Sequence, residues 1–107
     1  ASRIENRVAD TTANPYYAFA AQILDGLSGI TDGKSAPPPT QTPYADEAAQ
    51  LPSNLSEAID AFETSQLFKE TLGKEFVQYL THIKRAEWQR YLMTVSEWEQ
   101  AEYFNLF

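Results

Sequence analysis

The sequence predicts a mainly α chain: one N-terminal strand, then four or five helices with a long proline-rich loop among them. Three observations predict it. Apolar residues recur at helical spacing in several stretches, cap residues stand in front of most of those stretches, and prolines crowd the middle of the chain. With 107 residues, 43% hydrophobic and 13% aromatic, the chain has the composition of a globular protein and the length of one small domain.

The strand is read from Ser2 to Val8, where Arg3, Glu5 and Arg7 alternate with Ile4, Asn6 and Val8 and a period of two gives the charges one face. Asn14 then Pro15 opens a first helix, since Asn accepts from free N–H groups and Pro fits the first helical position. Tyr16, Phe19, Ala20, Ile23, Leu24 and Leu27 give it a wide apolar face, and Gly29 reads as its stop. From Thr31 to Pro52 the chain collects Gly33, Pro37, Pro38, Pro39, Pro43 and Pro52, which resist both helix and sheet. A loop of that length either links two parts over the surface or serves a function.

Asn54 with Glu57 reads as a capping box for a helix carrying Leu55, Ala58, Ile59 and Phe62 inward. A short helix from about Ser65 to Leu72 ends at Gly73, and the longest follows from about Lys74 to Thr94. Phe76, Val77, Leu80, Ile83, Trp88, Tyr91 and Leu92 form its stripe. Ser96 and Glu99 repeat the capping-box spacing before a last turn or two with Trp98, Tyr103 and Phe104. The division is thus 1–30 strand and helix, 31–53 loop, and 54–107 helical part. A lone strand cannot satisfy its own ladder groups, so it expects a sheet that these residues do not supply, and the chain reads as part of something larger.

Composition narrows the function. Acidic residues outnumber basic ones 15 to 8, a formal charge of -7, which opposes docking to nucleic acid or an anionic membrane. Without cysteine there is neither a disulfide nor a thiolate metal site, which fits a cytosolic location. No stretch approaches the roughly 18 apolar residues of a membrane span, and Arg3, Glu5, Arg7 and Asp10 are unlike a signal peptide.

The densest charge constellation is Arg3-x-Glu5-x-Arg7. Carboxylate oxygen suits a hard divalent cation, and guanidinium groups bind phosphate or carboxylate in forked geometry. The same spacing also describes an exposed ladder of surface ion pairs worth little. His82, on the long helix, has no partner at metal-ligand spacing and reads as structural or surface. The aromatic residues of the C-terminal half read as core or subunit contact.

Arg3-Ile4-Glu5-Asn6-Arg7 runs into Asn14-Pro15-Tyr16, an alanine-rich helix and Gly26-Leu27-Ser28-Gly29-Ile30; farther on come Leu51-Pro52, Lys84-Arg85-Ala86-Glu87-Trp88 and Trp98-Glu99 with Glu102-Tyr103. Over essentially its whole length the chain resembles the C-terminal part of the glutamine synthetase catalytic domain, in the subgroup that includes γ-glutamyl-polyamine synthetases. The resemblance implies a C-terminal fragment of an α+β domain. It implies an ATP-dependent ligase that joins the side-chain carboxylate of glutamate to ammonia or another amine through an acyl phosphate. By position, Glu5 resembles the ligand of Mg²⁺ (or Mn²⁺) at the ATP phosphates, Arg3 the arginine on those phosphates, and Arg7 the arginine on the glutamate side-chain carboxylate. The family's other metal ligands and its nucleotide-binding segments lie upstream of this stretch, so the isolated chain is expected to be inactive. Homo-oligomeric rings are implied too. Tyr44 stands near a loop tyrosine that is adenylylated in some members, but Pro43-Tyr44-Ala45-Asp46 departs from their pattern and no modification is expected. The competing expectations are an acidic helical interaction module and a truncated regulatory family member, neither of them catalytic.

Overall fold

A computed structural model describes residues 2–42, 49–104 and 106. They fall into two compact units, Ala1–Asp46 and Glu47–Phe107.

In the first unit the expected strand does not form: residues 2–8 carry no regular secondary structure, and there is no strand anywhere among the described residues. The physical reason is the one that made the strand conspicuous in the sequence. A strand is held by ladder bonds to a neighbour, and no strand among the described residues is there to make them. A turn follows, in which Ala13 N–H donates to the Asp10 carbonyl at 3.1 Å and Thr12 donates from both N–H and hydroxyl to the Asp10 carboxylate.

Helix α1, Pro15–Thr31, starts as its cap signals require: the Asn14 side chain accepts from Tyr16 N–H at 3.0 Å, and Pro15 fills the first position. It ends beyond Gly29, at Thr31, and Gly33 in the turn that follows takes φ +64°. There Lys34 N–H donates to the Gly29 carbonyl at 2.9 Å and Gly33 N–H to the Ile30 carbonyl at 3.1 Å. These two bonds make a Schellman stop, which needs a residue able to adopt left-handed backbone. None of the residues of α1 is buried.

The second unit holds four helices: α2 Leu55–Thr64, α3 Gln66–Thr71, α4 Lys74–Leu92 and α5 Glu97–Tyr103. At α2 the Asn54 side chain accepts from Glu57 N–H at 3.0 Å. The return bond of the expected capping box reaches one residue farther back, since Glu57 accepts from Ser53 N–H at 2.8 Å. Ser65 closes α2 and caps α3, and Gly73, at φ +86°, turns the chain into α4. At α5 the capping box is complete, with Ser96 and Glu99 exchanging both bonds.

Helices α2 and α3 both pack on α4. The core there is small: Ile59 from α2 and Val77 from α4 are the buried apolar side chains among the described residues, at 4% and 1% exposure. Phe62 and Phe68 add a tilted ring contact, their centroids 5.3 Å apart. The last turns of α4 and all of α5 leave their apolar residues in solvent, with Tyr91, Leu92, Trp98 and Phe104 exposed.

Candidate functional site

The charged triplet of the first unit is assembled by local geometry alone. Arg7 Nε donates to one oxygen of Glu5 at 2.5 Å, and an Arg3 guanidinium nitrogen lies 3.9 Å from the other oxygen. One carboxylate is thus held between two cations, as the alternation of the sequence suggested, although no strand frames it. The carboxylate side chain is 48% exposed and the two arginines 78% and 87%. Solvent screens the ion pairs at such exposure, so they contribute little to stability and leave both guanidinium groups free to exchange Glu5 for another anion. Asn6 holds the backbone beside them, its side chain accepting from Val8 N–H at 2.9 Å.

Glu5 can offer oxygen to a hard cation, but it cannot hold one alone. No group of three or more His, Cys, Asp or Glu residues that could bind a metal occurs among the described residues. Among the described residues Glu5 has no second carboxylate, His or Cys beside it to complete a metal site. His82 is exposed on α4 and belongs to no such group. Tyr44 lies outside the described residues.

Against the model of the family described as glutamine synthetase, catalytic domain, the chain matches over residues 1–103. The chain belongs to the glutamine synthetase family. Among curated relatives, a γ-glutamylanilide synthase from an Acinetobacter species is 41% identical over 99% of this chain and 24% of its own length. A glutamine synthetase from Methanocaldococcus jannaschii is 38% identical over 96% of this chain and 25% of its own length, and one from Staphylococcus aureus is 35% identical over 97% and 25%. The chain thus spans about a quarter of the length of the family members it matches. No solved structure matches it significantly.

Several features of the family stretch were not read from the sequence. Arg85 of α4 reaches across to α2, bonding Asp60 at 2.8 Å and Glu63 at 2.5 Å. The two carboxylates lie 25 and 22 positions away, so only the packing of the helices reveals the bridge. They hold the Arg85 guanidinium above its ordinary range, with the Asp60 bond the larger cause. In the first unit, Lys34 bonds Asp32 at 2.9 Å and lowers that carboxyl below its usual range. Spacing alone would have sufficed to suggest that pair.

Thr81 is also unanticipated. It is 4% exposed on the α2 side of α4, and its hydroxyl has no hydrogen-bond partner.

Proposed function

We propose that this chain is the C-terminal part of the catalytic domain of an ATP-dependent ligase that joins the side-chain carboxylate of glutamate to ammonia or another amine. The observation that carries the reading is the family match through residues 1–103 together with the clustering of Arg3, Glu5 and Arg7 inside it. In this reading residues 1–30 bear the site, 31–53 form a loop, and 54–107 form a helical part.

Arg3 contacts the ATP phosphates and Arg7 the side-chain carboxylate of glutamate. Two guanidinium groups on either side of one carboxylate suit a reaction that brings two anions together, because their charge offsets the repulsion between phosphate and glutamate. Glu5, together with ligands from the rest of the domain, would hold a divalent cation, which would supply positive charge beside the phosphates. The γ-phosphoryl group passes from ATP to the glutamate carboxylate oxygen as its bond to the β-phosphate breaks and ADP leaves, and the amine then attacks the acyl carbonyl, loses a proton and expels phosphate. Positioning and charge stabilisation carry most of such a transfer, so groups that do no covalent chemistry suffice here. The resemblance to both a γ-glutamylanilide synthase and glutamine synthetases supports an amine acceptor without fixing its size. The enzyme works in the cytoplasm as a homo-oligomer.

Glutamate labelled with ¹⁸O in its side-chain carboxylate tests the reaction in the complete enzyme. One labelled oxygen should appear in the inorganic phosphate at each turnover, because the carboxylate oxygen leaves with it. Unlabelled phosphate would rule out the acyl phosphate.

A further inference from the structure

Arg7 Nε donates to one oxygen of Glu5 at 2.5 Å, whereas an Arg3 guanidinium nitrogen stands 3.9 Å from the other oxygen, too far for a hydrogen bond. The Glu5 carboxylate therefore belongs to Arg7 more than to Arg3. A guanidinium takes a carboxylate best in a fork, with two N–H groups donating side by side, and Nε–H is one of the donors that such a fork can use. Glu5 occupies that donor. It also sets a negative charge against the guanidinium, which weakens the pull of Arg7 on any other anion.

The hold is light. Glu5 and Arg7 are two positions apart with side chains 48% and 87% exposed, so solvent screens the pair and it contributes little. Among the described residues one hydrogen bond joins them. A carboxylate arriving in forked geometry makes two, so it can win the exchange. The arginine assigned to the glutamate side chain is thus already filled by a carboxylate of its own chain, and filled weakly enough to be emptied.

We propose that Glu5 is a built-in competitor for the substrate carboxylate at Arg7, which glutamate must displace in order to bind. The inference rests on the proposed function, in which Arg7 receives glutamate. There Glu5 has a second task at a cation, and a carboxylate given to a cation no longer holds Arg7, so the competition belongs to the cation-free site.

Glutamate binding to the complete enzyme in EDTA, followed by ligand-detected NMR because that method also reads weak binding, tests the assignment. Glu5→Gln keeps the length of the side chain and removes its charge, and should tighten glutamate binding by about two- to fivefold, the scale of an exposed ion pair. Simple repulsion between Glu5 and glutamate would give the same sign, so the change is repeated in Arg7→Gln. With no guanidinium left to compete for, Glu5→Gln should then have no effect, whereas repulsion would persist. Binding left unchanged by Glu5→Gln, or a tightening that survives in Arg7→Gln, would overturn the competitor while leaving the ligase reading in place. Failure of glutamate to bind the wild-type enzyme in either EDTA or Mg²⁺ would overturn both.

Discussion

Within the triplet each side chain is assigned a different partner, and the three can be told apart kinetically. In the complete enzyme, Arg7→Ala should raise KM for glutamate by about 10- to 100-fold, the range for losing a hydrogen bond between charged groups. Arg7→Lys should restore only part of that loss, because an ammonium group cannot reproduce forked contact with a carboxylate. Arg3→Ala should act on KM for ATP instead, and steady-state kinetics with each substrate varied in turn separates the two. The pairing of Arg3, Glu5 and Arg7 was legible in the sequence because spacing of two is a local property. The bridge from Arg85 to Asp60 and Glu63 was not, because it depends on how two helices pack. Thr81 was hidden for a similar reason: its place on the helix is visible, but burial without a partner emerges only in the packed pair.

Elements in this chain are defined mainly by their ends. Asn54→Ala or Ser96→Ala should each cost about 1 kcal/mol of local stability through loss of a cap, read as reduced helicity in urea titrations. Glu57 and Glu99 have carboxyl pKa values below the ordinary range, each chiefly because a backbone N–H, from Ser53 and Ser96 respectively, donates to the ionised form. Their folded values lie below their unfolded ones. The stabilisation is therefore present above the usual glutamate range and is lost as pH falls through the lowered values. Acid titration followed by circular dichroism should show helix loss in that window, and Glu57→Gln with Glu99→Gln should flatten it. Sequence signals located the starts of α1, α2 and α5 correctly because a cap bond spans only two or three residues. The end of α1 was misplaced because Gly29 can remain helical while Gly33 supplies the left-handed turn. Packing of α2 on α4 rests on Ile59 and Val77, so Ile59→Ala should cost about 2–4 kcal/mol by leaving a cavity, measured by urea unfolding.

At the scale of the whole molecule, a small core coexists with much uncovered apolar surface. Phe19, Ile23 and Leu27 of α1 are exposed, as are Trp98 and Phe104. Exposed apolar area of this kind favours association, and a net charge of -7 opposes it only weakly once salt screens it. The purified chain should therefore self-associate, with a mean mass in light scattering that rises with concentration; a constant monomer mass would contradict this. The sequence showed the helical class and the missing neighbour of the N-terminal segment, but not how little of each apolar stripe these residues bury. Stripes mark which face is apolar, whereas what covers that face depends on residues elsewhere. No helix among the described residues is long and apolar enough to cross a membrane. The proposed function makes Glu5 part of a ligase active site. Glutamate- and amine-dependent phosphate release from Mg-ATP by the complete enzyme should fall by about a hundredfold or more in Glu5→Ala, the scale of losing one electrostatic group from such a site, and unchanged turnover in the variant would contradict that role.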